Sequence, residues 1–422
     1  MSVTSEQAQS TELLRIVTCG SVDDGKSTLI GRLLYDTKQI FVDQLEHIED
    51  VSRRRGNEYV DLALLTDGLR AEREQGITID VAYRSFVTPR RRFQLADAPG
   101  HVQYTRNMVT GASTAELGIV LVDARLGVVE QTRRHAYILS ILRVPHAVVA
   151  VNKMDLVDWS QERFDEIASK LDELGLPDLQ VIPVSALQGD NVVERSDRMP
   201  WYEGPPLLEH LENVEIAYDR DLDSRRFPVQ WVIRPMSGEH HDYRGYAGQV
   251  AGGVWSAGDD VVVLPAGLRT QVEVVETIDG PLETAIPPMS VTIRLADDLD
   301  VSRGDMLADP AEPPVVAREL EARVCWMSER PLEPRAKLAV KQTTRSVRAI
   351  ADELVSRIDV DTLDDVAAPD RLELNDIGVV HLRLSEPLCV DPYGANRTTG
   401  AFVLIDEATN ETVGAGIVLS AS

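Results

Sequence analysis

Short runs of apolar or alternating residues recur through the first half of the chain, at 13–17, 92–96, 119–122, 147–151 and 181–184. Runs of this length predict strands, and a continuous apolar, β-branched one such as 147–151 predicts a strand of a parallel sheet buried on both faces. Helical spacing of apolar positions follows in between, as over 131–142. Strand and helix in alternation predict an α/β domain, a parallel sheet wrapped by helices, over residues 1–215.

The helical period disappears from Arg226 onward. Short alternating segments replace it at 228–233, 246–251, 260–264, 271–276 and 291–295, with Gly and Pro between them, which predicts a small antiparallel β-barrel over 225–310. The stretch Asp309-Pro310-Ala311-Glu312-Pro313-Pro314 breaks the pattern. A second all-β segment follows over 315–422, with alternation at 338–342 and 377–384. At 422 residues the chain is too long for one core, and three domains suit it.

Charge narrows the partners. The net charge of −26 repels phosphate backbones, so no nucleic-acid partner is expected; the runs 53–55 and 90–92 of arginine read as solvated faces or turn decoration. Cys19, Cys325 and Cys389 have no ligand or disulfide spacing, and Cys19 reads as a packing residue. His240-His241 reads as surface loop, because adjacent residues rarely chelate together. The polar opening has no apolar leader and no stretch is long enough to span a membrane, so the expected setting is reducing and cytoplasmic.

Candidate chemistry begins at Gly20-Ser21-Val22-Asp23-Asp24-Gly25-Lys26-Ser27, which fits G-x-x-x-x-G-K-[ST] after a predicted strand. Such a loop turns consecutive backbone N–H groups toward phosphate oxygens, with a helix starting at about Lys26. Lys26 is then expected to reach the β and γ phosphates and Ser27 to ligate magnesium, with Thr28 next in the binding segment. Downstream, Asn152-Lys153-Met154-Asp155 is an N-K-x-D sequence at a strand end. A carboxylate at Asp155 can accept from N1–H and the 2-amino group of guanine, and adenine lacks both donors there. Lys153 would lie along the ring, Asn152 would tie this loop to the phosphate loop, and Ser185-Ala186-Leu187 would offer a backbone N–H to the guanine oxygen.

Two further segments fit a reader of the γ-phosphate. Asp97-Ala98-Pro99-Gly100-His101 puts Asp97 at a strand end to hold magnesium through water, Gly100 to donate its N–H, and His101 to orient the attacking water. Thr78, in Arg73-Glu74-Gln75-Gly76-Ile77-Thr78-Ile79-Asp80, would close over magnesium and phosphate as part of a switch ordered by the triphosphate.

These elements, in this order, resemble the translational GTPases of the elongation factor Tu superfamily. One branch is similar in finer detail: the large, GTP-hydrolysing subunit of sulfate adenylyltransferase. The resemblance is carried by GSVDDGKSTLIGRLL (20–34), DGLRAEREQGITID (67–80), YTRNMVTGAST (104–114), DARLGVVEQTRRH (123–135), RGYAG (244–248) and DPYGANRTTGAFVLID (391–406). Ala98 departs from the threonine common at that place.

The resemblance implies a P-loop GTPase domain followed by two antiparallel β-barrels, GTP and Mg²⁺ as ligands, and a separate, smaller ATP sulfurylase subunit as partner. Together the two would make adenosine 5′-phosphosulfate and pyrophosphate from ATP and sulfate. Adenylyl transfer on this chain is not expected, since it has one phosphate loop and that loop's base motif favours guanine. Nor is an adenylylsulfate kinase activity, since no second phosphate loop follows the third domain. An elongation-factor-like carrier of aminoacyl-tRNA and a regulatory GTPase that gates a partner stay open as alternatives.

Overall fold

The computed structural model describes residues 12–40, 46, 48, 50–53, 60, 62–65, 80–101, 104–171, 174–216, 221–235, 243–359 and 365–422. They fall into two compact units, one carrying the described residues through Ile216 and the other those from Asp221 on.

The first unit is built on a six-stranded sheet in the order β2-β3-β1-β4-β5-β6. Its strands are β1 (Leu13–Gly20), β2 (Ala82–Val87), β3 (Arg92–Asp97), β4 (Leu117–Asp123), β5 (His146–Asn152) and β6 (Leu179–Pro183). The helices are α1 (Lys26–Asp36), α2 (Thr105–Ser113), α3 (Glu130–Ile141), α4 (Gln161–Leu171) and α5 (Leu207–Asn213). Every position of β4 and β5 is buried, which is why their sequences are continuous apolar runs.

All pairings in this sheet are parallel except β2 with β3. The sheet is therefore mixed, and not parallel throughout as the apolar runs suggest. The four residues between β2 and β3 are too few for a crossover, so the two can pair only as a hairpin. Parallel register brings Thr18 opposite Asp97, Gly20 opposite Leu121 and Asp123 opposite Asn152. The carboxyl ends of β1, β3, β4 and β5 thus share one edge, where open α/β sheets bind ligands.

Arg91 corrects the reading of 90–92 as a solvated run. It is buried, and it donates to the carbonyls of Leu211 (3.1 Å) and Val214 (2.6 Å) and to Glu12 (3.0 Å). Those carbonyls are the unsatisfied acceptors at the end of α5, so Arg91 caps that helix from a distance. Arg90 and Arg53 are exposed, and Arg54 and Arg55 lie outside the described residues.

The second unit holds two barrels. The first comprises β7 (Arg226–Ile233), β8 (Gly245–Gln249), β9 (Asp260–Leu264), β10 (Leu268–Thr277), β11 (Gly280–Pro281), β12 (Ser290–Leu295) and β13 (Met306–Ala308). Its sheet closes because β9, at one end of the order, also pairs with β10. Phe227, Tyr246 and Trp255 fill its core. The other comprises β14 (Val315–Trp326), β15 (Ala336–Gln342), β16 (Arg345–Ile358), β17 (Asp365–Ala367), β18 (Ile377–Val390), β19 (Ala401–Ile405) and β20 (Thr412–Ala421), closed by β15 against β16. All pairings in both are antiparallel, and closure leaves only the short β11 and β17 as edges, too brief to template aggregation. An α/β domain followed by two antiparallel barrels is the expected architecture.

Candidate functional site

The chain leaves β1 at Gly20, turns through Ser21 to Gly25 and enters α1 at Lys26. Gly25 has φ 93°, a conformation that favours glycine, and a Cβ there would stand 2.5 Å from Asn152 Nδ2. Lys26 is buried, and its Nζ donates to the carbonyls of Gly20 and Ser21, both at 2.8 Å. Burial lowers its pKa, opposed by the nearby carboxylates of Asp97 and Asp24. Asp24 lies inside the loop, where its Oδ2 accepts the Ser21 N–H at 2.5 Å. Burial pushes its carboxyl up to about 6, against the pull of Lys26 and that N–H.

Val22 and Asp23 are exposed at the turn, and Ser27 and Thr28 are half-buried in the first turn of α1. Gly100 packs directly against the loop. A Cβ on it would lie 2.5 Å from both Gly20 O and Lys26 Nζ, so any side chain would displace the lysine. Asp97, the last residue of β3, is buried and accepts from Thr18 Oγ1 at 3.2 Å, while the Ala98 N–H donates to Thr18 O at 3.1 Å. Ala98 and Pro99 are buried, and His101 is exposed with Tyr104 edge-on at 6.2 Å.

Asn152 joins two loops. Its Nδ2 donates to Asp24 O (2.7 Å) and its Oδ1 accepts the Ala186 N–H (2.9 Å). Lys153, at φ 65°, sends its Nζ to Asp23 O and to Asp123 Oδ2, the latter at 2.9 Å. Met154 is buried, and Asp155 accepts the Ser185 hydroxyl at 2.6 Å. Ala186 is buried and Leu187 half-buried beside it. The structure therefore brings together the segments 20–28, 97–100, 152–155 and 185–187. Thr78 lies outside the described residues, as do His240 and His241.

Asp123 belongs to the same cluster and was not among the candidate site residues. It ends β4, is 2% exposed, and pairs with Arg125 (2.6 Å) and Lys153 (2.9 Å). Burial pushes its carboxyl up, yet hydrogen bonds from Arg125 and Lys153 outweigh that and hold it at about 2. Two signals in the sequence mark it: its place at the end of the apolar run 119–122, the position that Asn152 holds on β5, and its standing first in DARLGVVEQTRRH (123–135).

Among the described residues no three His, Cys, Asp or Glu side chains gather as a metal site. Magnesium does not need such a cluster: it prefers oxygen donors, keeps waters, and shares substrate phosphates with one or two protein groups. Ser27, in the first turn of α1, and Asp97, at the end of β3, are oxygen donors, so the residues present fit that ion. No described helix is long and apolar enough to cross a membrane.

Residues 11–219 match the family model for the elongation factor Tu GTP binding domain, and residues 319–419 match that for the GTP-eEF1A C-terminal domain-like family. The bifunctional enzyme CysN/CysC of Mycobacterium tuberculosis (strain ATCC 25618 / H37Rv) is 57% identical over 97% of this chain and 67% of its own length. Sulfate adenylyltransferase subunit 1 of Bacteroides fragilis (strain YCH46) is 51% identical over 97% of this chain and 86% of its own. That of Alteromonas mediterranea is 50% identical over 98% and 88%. The chain belongs to the sulfate adenylyltransferase subunit 1 family and carries a GTP-binding domain of the elongation factor Tu type.

Proposed function

We propose that this chain is the GTP-hydrolysing subunit of a sulfate adenylyltransferase, coupling GTP hydrolysis to formation of adenosine 5′-phosphosulfate and pyrophosphate from ATP and sulfate. Adenylyl transfer belongs to a separate, smaller catalytic subunit. Asn152 is the observation that carries the guanine-nucleotide part: one amide holds the phosphate loop at Asp24 and the base loop at Ala186. The names of the relatives support the sulfate part.

In this reading the amides of 20–28 cradle the phosphates and Asp155 accepts from N1–H and the 2-amino group of guanine. Lys153 lies along the ring. The Ala186 N–H is already engaged by Asn152, so the Leu187 amide is assigned to the guanine oxygen. Hydrolysis is in-line attack of water on the γ-phosphorus; the bond to the bridging oxygen breaks and its electron pair leaves with GDP. Lys26 stabilises the charge that develops on the phosphate oxygens, Gly100 donates its N–H to the γ-phosphate, and His101 orients the water. Ser27, Asp97 and Thr78 would hold Mg²⁺, which when bound neutralises charge on those oxygens.

Making a phosphate–sulfate anhydride is strongly uphill, which is the thermodynamic reason for coupling. Thr78 and 97–101 would transmit the nucleotide state, provided that the partner binds the two states with different affinity. A cytoplasmic setting, a partner other than nucleic acid, and the division into domains 1–215, 225–310 and 315–422 belong to the same proposal. The test is to purify the tagged chain from its own cells and assay pyrophosphate release from ATP and sulfate, with and without GTP. A smaller subunit should come down, and GTP should drive product past its GTP-free level. Recovery of tRNA or ribosomes with no effect of sulfate would overturn the proposal, and full support by a nonhydrolysable GTP analogue would reduce the chain to a gate.

A further inference from the structure

Arg32 lies in the second turn of α1, and its guanidinium rests on the base loop. Nε donates to Ala186 O at 3.1 Å and Nη2 to Leu187 O at 2.5 Å, while Nη1 meets Asp36 Oδ1 at 3.5 Å. The side chain is 18% exposed. A planar fork that grips two consecutive carbonyls fixes two consecutive peptide planes. Because each trans peptide points its N–H opposite its carbonyl, the fork turns the amides of Leu187 and Gln188 away from α1.

Those amides lead to the base reader. The Gln188 N–H donates to Ser185 Oγ at 3.2 Å, and that hydroxyl donates to Asp155 Oδ1 at 2.6 Å. A continuous line of hydrogen bonds and one peptide plane therefore runs from the Arg32 guanidinium to the Asp155 carboxylate. A lysine there would keep the charge but could not grip both carbonyls with a rigid fork.

We propose that Arg32 is a positioning residue for guanine selection, holding the Ala186 and Leu187 carbonyls so that Asp155 keeps the geometry that reads the 2-amino group of guanine. It rests on the guanine-nucleotide reading above. Inosine triphosphate probes it, since it keeps the 6-oxo group and N1–H and lacks only the 2-amino group that Asp155 reads. For the full-length chain and its Arg32→Met variant, Kd for GTP and for ITP is measured, with kcat at saturating GTP. Arg32→Met should weaken GTP about tenfold and ITP much less, so that the ITP-to-GTP ratio of Kd collapses while kcat holds. Arg32→Lys should recover part of the ratio. Equal weakening of both nucleotides, or no change in either, would overturn the proposal and leave Arg32 a packing residue. If Arg32→Met does not fold, Arg32→Lys and Asp36→Asn carry the same comparison. Equal affinity of the unaltered chain for GTP and ITP would instead defeat the guanine reading itself.

Discussion

Arg226, at the start of β7, closes a two-point ion pair on Asp391, just past β18: Nε to Oδ2 at 2.9 Å and Nη2 to Oδ1 at 3.0 Å. Both residues are buried, and Thr399 Oγ1 donates to the same carboxylate at 2.6 Å. Asn396 Nδ2 adds bonds to Ala251 O (2.9 Å) and Asp221 Oδ2 (3.1 Å). The segment DPYGANRTTG therefore forms the seam between the two barrels of the second unit.

Breaking this pair from one side leaves an unpaired buried charge. Asp391→Ala should cost about 3–5 kcal/mol, whereas the double change Arg226→Met with Asp391→Leu should cost far less. Hydrogen exchange at 226–251 and 391–400 measures it, and equal losses in the single and double variants would show that the charges are not the reason.

Asn152→Ala should leave the buried Ala186 N–H and Asp24 carbonyl without their partner. An unsatisfied buried group costs about 1–3 kcal/mol, so GDP and GTP affinity should both fall about tenfold to a hundredfold. Titration with a fluorescent GDP reads this directly; unchanged affinity would mean that the two loops hold their places without it.

Asp155→Asn should exchange the base preference. GTP binding should weaken about a hundredfold and XTP, whose 2-oxo edge an amide can pair with, should gain. Competition between the two nucleotides tests it, and an undiminished preference for GTP would put the base reader elsewhere.

Lys26→Ala should abolish nucleotide binding, and His101→Ala should leave binding intact while slowing hydrolysis about a hundredfold. Single-turnover hydrolysis beside equilibrium binding separates the two. Equal loss of binding in both variants would remove His101 from the role assigned to it.

Asp24 predicts a pH dependence. Its carboxyl is raised from 3.8 to about 6 on folding, so the folded state binds the proton more tightly and stability falls as pH rises between those values. The loss is complete above about 6 and is on the order of 3 kcal/mol. Asp24→Asn should therefore stabilise the first unit relative to the parent at pH 7 by more than at pH 4. Thermal melts of both proteins across that range measure the difference, in which the other titrating groups cancel; a difference independent of pH would sink the idea.

Much of the candidate site was legible in the linear sequence because its residues sit where local patterns end. An apolar run followed by N-K-x-D predicts a strand over 147–151 with polar groups at its tip, and β5 runs His146–Asn152. The same logic located Lys26 at a helix start and Asp97 at a strand end. Asp123 obeys that rule too and opens the segment DARLGVVEQTRRH, but neither signal gives it a role until Lys153 and Arg125 close on it.

By itself the sequence determined the order of elements, the change from α/β to all-β near Arg226, and the loops that end β1, β3 and β5, since hydrophobic period and turn residues act within a few positions. Tertiary structure alone decided the antiparallel hairpin of β2, the closure of each barrel, and the partners of Arg32, Arg91 and Arg226. Most of those partners, Ala186 and Leu187 for Arg32, Leu211 and Val214 for Arg91 and Asp391 for Arg226, lie more than a hundred residues away in the chain. A guanidinium's worth depends on which acceptors fold around it, and an isolated arginine in a sequence looks the same on a solvated face as in a buried fork.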